Sequence, residues 1–243
     1  MGESTLLSRG KGLTNNALKI IAMLTMLIDH VGLILFPQTV IFRIIGRISF
    51  PIFAFMIAEG CAHTKNRKKY LLQIAIVAII CQVVFTVFTK SYLQNILVTF
   101  SLAVITIFAI DYFISKKTVL SGLLMALTVL AVAFICYLLP EIIVFEDFAV
   151  DGTYLSVLLP ILVYYAPKKW LKLLATALIL CLLPIKLEFP IQWYALLSLP
   201  LLALYNGSRG KLKIKYLFYL FYPLHLAVLY GLKMLIIYLK YYR

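Results

Sequence analysis

Long apolar stretches separated by short polar or proline-containing breaks organise this chain from end to end. The stretches run over residues 18–36, 40–62, 70–88, 96–114, 119–139, 149–166, 170–186, 191–205 and 216–238. Each is continuous and mixes Leu and Ala with Ile and Val, so the alternating pattern of a membrane strand is missing and helices are expected. Most approach the ~20 residues that cross ~30 Å of hydrocarbon. About nine transmembrane helices are therefore predicted, within a range of eight to ten. The sixth to eighth stretches are shorter and carry Pro160, Pro184, Pro190 and Pro200, which leaves room for a re-entrant segment. No polar segment is long enough to fold as a soluble domain. The expectation is an all-α, polytopic integral membrane bundle that occupies residues 1–243 as a single domain. The first seventeen residues are polar and no small-residue cleavage site follows the first stretch, so no removable signal peptide is expected.

Composition agrees with the pattern. The chain is 64% hydrophobic and 13% charged, with a mean hydropathy of +1.02, against roughly half apolar and a quarter charged in soluble domains. Its net charge of +14 comes mostly from lysines and arginines that sort by loop. With a cytoplasmic N-terminus, the inner segments hold Arg9, Lys11 and Lys19, then Lys65, Arg67, Lys68 and Lys69, then Lys116 and Lys117, then Lys168, Lys169 and Lys172, then Arg209, Lys211, Lys213 and Lys215. The outer loops keep Lys90 and Lys186, and the tail has Lys240 and Arg243. This is the positive-inside signature, so the charge speaks of topology and lipid headgroups, and no nucleic-acid partner is expected. A phosphate-bearing cytosolic donor would find its counter-charge in the same loops. Glu141, Glu146, Asp147 and Asp151 gather in one outer loop, read as solvated or as a lid over an outward-facing site.

Cys61, Cys81, Cys136 and Cys181 fall in four different spans and read as packing residues, with neither disulfides nor a metal site indicated. His30, His63 and His225 are too widely separated to suggest zinc. No Walker loop, no G-x-S-x-G and no internal repeat is visible.

The informative residues are ionisable groups inside the spans. Asp29 and His30 lie in the first span, and Arg43, Arg47 and Glu59 in the second, each at an insertion cost of about 2.5–3.5 kcal/mol. At 1.5 Å per residue, His30 falls about 4–5 Å outward of mid-span, Arg47 about 6 Å outward and His225 about 3 Å inward. The connection Pro37-Gln38-Thr39 makes the first two helices antiparallel neighbours. Arg43 and Arg47, four apart, share a face. Asp29 and His30 point about 100° apart, so Asp29 is expected to pair with an arginine, leaving His30 free to act as a base. Pro51 is expected to bend the second span just below the arginines, and Pro223 to free a carbonyl beside His225. Glu59, about 12 Å inward, is read as snorkelling or pairing with the cluster at Lys65 to Lys69. Asp111 is expected to pair with Lys116 or Lys117, and Gln82, Asn95 and Thr99 to join helices by hydrogen bonds. For Asp29 with its arginines, a purely structural ion pair and a functional role stand side by side.

Four segments carry a family resemblance. They are LKIIAMLTMLIDHVG, RIIGRISFPIFAFMIAEGCAHTKNRKKYLLQ, the loop YNGSRG and the closing FYPLHLAVLYG. Together they resemble the TraX family, named for a conjugation protein that acetylates the N-terminus of F-type pilin. TraX proteins are distantly similar to the broader membrane acyltransferase-three group, whose pattern is a histidine near the end of the first helix followed by arginines. His30 matches the histidine; Arg43 and Arg47 stand for the arginines at a shorter spacing than in that group. The resemblance implies a bacterial plasma-membrane acyltransferase that uses cytosolic acetyl-CoA and needs no metal. His30 would serve as base or transient acyl carrier, Arg47 would stabilise the thioester oxygen, and Arg43 and Asp29 would hold both. Glu59, His225, Tyr222, Asn206, Arg209 and Lys68 are the candidates for binding substrate or CoA. The acceptor, an amine or hydroxyl of a protein, peptide or glycan, stays open. So do two rival classes, a proton-coupled transporter and a non-catalytic membrane assembly protein.

Overall fold

The computed structural model describes residues 12–143, 147–212 and 215–241, with backbone only at 215, 216 and 241. Arg9, Lys11, Glu146, Lys213, Arg243 and the side chain of Lys215 lie outside the described residues. Within them the protein is 82% helical with no strands. The helices are α1 (Asn15–Leu35), α2 (Val40–Gly46), α3 (Ser49–His63), α4 (Arg67–Thr89), α5 (Ile96–Lys116), α6 (Val119–Ala133), α7 (Leu139–Ile142), α8 (Thr153–Tyr165), α9 (Lys169–Leu187), α10 (Ser198–Ala203) and α11 (Lys215–Tyr241). A π turn, Phe134–Leu138, joins α6 to α7, and a 3-10 stretch, Pro190–Leu197, leads into α10.

Among the described residues, seven helical spans are long and apolar enough to cross a membrane. Two shorter apolar segments, Thr153–Tyr165 and Pro190–Ala203, fill the sixth and eighth expected stretches. The seventh differs from expectation. Pro184 lies inside α9, which still runs unbroken for 19 residues to a left-handed cap at Glu188. Exposed Val119, Leu120, Leu123, Leu127 and Leu130 on α6, and Leu220, Leu224 and Val228 on α11, form apolar surfaces suited to lipid. The protein is a polytopic helical membrane protein.

Local sequence explains where the helices begin. The Thr14 hydroxyl accepts from Ala17 N–H, Asn66 from Lys69 and Asn95 from Leu97, and Thr118 with Ser121 forms a capping box. Asn95 also acts between helices, as expected: its Nδ2 donates to the Ala78 carbonyl and to Gln82 Oε1, each at 2.9 Å. The Thr99 hydroxyl donates to the Asp151 carbonyl at 3.0 Å.

The chain divides into two compact units, Met1–Met56 with Phe189–Arg243, and Ile57–Glu188. In the first, α1 packs against α2 and α11, and the 3-10 stretch packs against α2. Its core holds Leu18, Ala22, Ile52, Phe55, Leu202 and Leu226. Gly46 lets α2 approach α1 closely, since a Cβ there would collide with the Asp29 carboxylate. In the second unit α5 is central, packed on α4, α6 and α8, while α9 packs on α8. The inward stripe of α5 is Thr99, Phe100, Ala103, Val104 and Ile107, at the three- and four-residue spacing of a helix face. Cys61, Cys81 and Cys136 are buried packing residues, and Cys181 is half-buried.

Candidate functional site

The α1–α2 hairpin builds its polar cluster from a single carboxylate. Asp29 is buried, and each of its oxygens takes one guanidinium: Arg43 Nη1 donates to Oδ2 at 2.5 Å and Arg47 Nη2 to Oδ1 at 2.7 Å. Arg43 sits in the last turn of α2, and Arg47 is its C-cap, with its N–H on the Arg43 carbonyl at 3.1 Å. The span therefore breaks at Arg47-Ile48, and α3 restarts at Ser49. The sequence placed the bend below the arginines, at Pro51. The break does lie just below them, and Pro51 itself occupies the first turn of α3, where a missing N–H costs nothing. Ser49 Oγ ties the break to α1 by donating to the Ala22 carbonyl at 3.0 Å.

Arg47 reaches further than the hairpin. Its Nη1 donates to Gln192 Oε1 at 3.2 Å, from the 3-10 stretch. Gln192 is buried, as are Ala195 and Ser198, one 3-10 turn apart each. Arg47 Nε, in contrast, is buried with no hydrogen-bond partner among the described residues. A donor left in that state costs about 1–3 kcal/mol.

His30 faces the other way, toward α11. Its Nδ1 lies 2.9 Å from the Met26 carbonyl and 3.3 Å from His225 Nε2, while His225 Nδ1 lies 2.8 Å from the Phe221 carbonyl. Carbonyls only accept, so this pattern puts the proton on Nδ1 of both rings. His30 Nδ1–H is then shared between Met26 and His225, and His30 Nε2 keeps its lone pair. The two rings meet edge to face with centroids 5.0 Å apart. Phe221 stacks on His225 at 4.8 Å and Tyr222 meets it edge-on at 5.5 Å. The sequence expectations that Asp29 pairs with arginine and that His30 points elsewhere are met by this geometry, and His225 lies against His30.

Charge in this unit is unbalanced. Within Met1–Met56 and Phe189–Arg243 the only acidic side chains in the sequence are Glu3, outside the described residues, and Asp29. Two guanidiniums share one carboxylate, and Gln192 adds an oxygen without adding a charge. An arrangement of this kind suits a negative or developing negative oxygen.

Residues 14–233 match the family model described as TraX protein. The chain belongs to the TraX family. It is 27% identical over 247 residues to a probable fimbrial assembly protein FimC of Dichelobacter nodosus, covering 89% of this chain and 94% of that one. It is also 36% identical over 95 residues to an uncharacterized protein of Rickettsia prowazekii (strain Madrid E), 39% of this chain and 36% of that one. No solved structure matches.

The other candidates of this TraX protein divide. Tyr222 stands with His225, as described. Asn206 and Arg209 act through a backbone clamp on the start of α1. Asn206 N–H donates to the Leu13 carbonyl at 3.0 Å, while Asn15 N–H donates to Ser208 at 2.8 Å and Asn16 N–H to Arg209 at 3.2 Å. The buried Asn16 side chain adds a bond of 2.6 Å to the Leu212 carbonyl. These bonds occupy the N–H groups at the start of α1, so that helix end has none left for a phosphate. The Arg209 side chain remains exposed.

Glu59, Lys68 and His63 belong to the second unit. Buried Glu59 accepts from Lys172 Nζ at 2.6 Å, with His63 Nδ1 4.0 Å from its other oxygen. The expected partners, Lys65 to Lys69, give way to a lysine of α9, because tertiary packing brings together residues far apart in sequence. Lys68 is exposed. Asp111 likewise departs from expectation: in place of Lys116 or Lys117 it holds Arg67 at 2.7 Å and accepts from Tyr164 at 2.6 Å and Tyr165 at 2.9 Å. Sequence reasoning missed Gln192. The available signal was an amide inside the apolar stretch 191–205.

Proposed function

We propose that this protein is an acetyltransferase of the bacterial plasma membrane, with its N-terminus in the cytoplasm and cytosolic acetyl-CoA as donor. The observation that carries the reading is the constellation of His30 and His225 beside Asp29, with two arginines on that one acid. His30 Nε2 removes the proton from the acceptor amine or hydroxyl. As the acceptor nitrogen or oxygen bonds to the acetyl carbon, the carbon–sulfur bond breaks, and the proton held on His30 passes to the departing thiolate. Arg47 donates to the carbonyl oxygen, where negative charge grows. Arg43 and Asp29 hold Arg47, and His225 steadies the His30 ring through the shared Nδ1–H. The exposed side chain of Arg209, in the same unit, is available to the phosphates of CoA.

The similarity to a probable fimbrial assembly protein supports a pilin or other envelope protein as acceptor. Protein purified into proteoliposomes with radiolabelled acetyl-CoA and envelope protein from the host should transfer label. Substrate-dependent proton flux without acetylated product would place it with transporters instead.

A further inference from the structure

The orphan N–H of Arg47 and the neutral amide opposite it belong to one device. Asp29 Oδ1 holds Nη2 at 2.7 Å and Gln192 Oε1 holds Nη1 at 3.2 Å. Two contacts on different nitrogens fix the guanidinium in position as well as direction, and a planar group so fixed aims its remaining Nε–H along one line. That hydrogen is buried and has no acceptor among the described residues.

Gln192 comes from a segment shaped for this purpose. The 3-10 stretch Pro190–Leu197 is 8 residues long, where runs beyond about 3–4 are uncommon. Its three-residue repeat puts Gln192, Ala195 and Ser198 on one buried edge. The two small side chains let the segment lie close to its neighbours, and Ser198 turns its hydroxyl back to the Ala195 carbonyl at 2.7 Å. Gln192 is thus the member of that edge with a side chain long enough to reach Arg47.

The choice of amide over acid matters as much as the reach. A glutamate at this position would hold Nη1 more strongly, yet it would neutralise the second guanidinium. With Gln192 the cluster keeps its surplus positive charge.

We infer that Gln192 is a positioning residue that aims Arg47 Nε–H at the carbonyl oxygen of the acyl donor while leaving the surplus positive charge of the cluster in place. This rests on the acetyl-transfer reading and names a further residue of the same site. A residue with only a structural role would behave differently. Replacing it by glutamate would then strengthen the Arg47 contact and leave catalysis intact.

The test uses the full-length protein in nanodiscs, labelled at arginine 15Nε, with the Arg47 signal assigned by its loss in Arg47→Lys. Gln192→Leu should speed solvent exchange of the Arg47 Nε–H about tenfold, because one of its two anchors is gone. Gln192→Glu should keep or raise the melting temperature yet lower kcat for acetyl transfer about 100-fold, with a smaller change in KM. Wild-type turnover in Gln192→Glu, or an unchanged Arg47 exchange rate in Gln192→Leu, would overturn the inference. Absence of turnover in the wild-type protein would instead remove the acetyltransferase reading. The exchange measurement, which needs no substrate, would then decide the positioning role alone.

Discussion

The two units of this protein solve the problem of charge inside a membrane in opposite ways. In the second unit Glu59 pairs with Lys172, and Asp111 with Arg67 and two tyrosine hydroxyls. In the first, one acid serves two arginines, a neutral amide supplies the next contact, and a buried N–H is left over. Matched clusters have done their work once the chain is folded. An unbalanced cluster with a spare donor is complete only when something else supplies the missing acceptor. On the proposed reading, the matched clusters hold the fold and the unbalanced one serves the chemistry.

The strongest way to break the contrast is at His30. His30→Ala removes the lone pair assigned to proton removal and should lower acetyl transfer about 10³-fold, with the melting temperature close to wild type. Next is Arg47→Lys, which keeps the charge and loses the planar fork and its Nε–H. A fall of about 100-fold in kcat is expected, and a rate equal to wild type would make Arg47 structural.

A substitution in the matched class should do the reverse. Asp111→Ala leaves the Tyr164 hydroxyl and the Arg67 guanidinium without their acceptor, while Tyr165 keeps the Ile107 carbonyl at 3.2 Å, at a cost of about 1–2 kcal/mol given the half-exposed Arg67. Thermal unfolding in detergent should register that loss, while acetyl transfer per folded molecule stays unchanged. A large loss of specific activity there would erase the distinction between the two units.

The smallest effect is expected at Asp147. The Ser91 hydroxyl, and after it the Tyr92 N–H at 3.0 Å, hold Asp147 below the ordinary carboxylate range. A depressed value means the contact is fully present at neutral pH and is lost only as pH falls through that lowered value. Ser91→Ala should move the acid midpoint for exchange of the Tyr92 amide upward, toward that of an ordinary aspartate.

Much of this was legible in the sequence because membrane insertion imposes strong local rules. The apolar stretches marked the helices. The three-residue connection Pro37-Gln38-Thr39 set α1 against α2, and the four-residue spacing of Arg43 and Arg47 put both on the face that meets Asp29. Contacts set by tertiary packing were less accessible. Lys172 reaches Glu59 and the paired tyrosines reach Asp111 from other helices, so nearer lysines looked like better partners. Gln192 escaped because its neighbours repeat every three residues, a register that an α-helical reading of a proline-rich stretch does not test. Asn206 and Arg209 were read for their side chains, whereas their backbone groups clamp α1.

The central claim is that the His30 and Arg47 constellation transfers an acyl group. Its most direct test is release of free CoA thiol together with labelled product from acetyl-CoA in sealed proteoliposomes, comparing wild type with His30→Ala at equal folded protein. The account predicts stoichiometric thiol and acetylated acceptor from the wild type and about a thousandth of that rate from the variant. Equal rates from both proteins would contradict it.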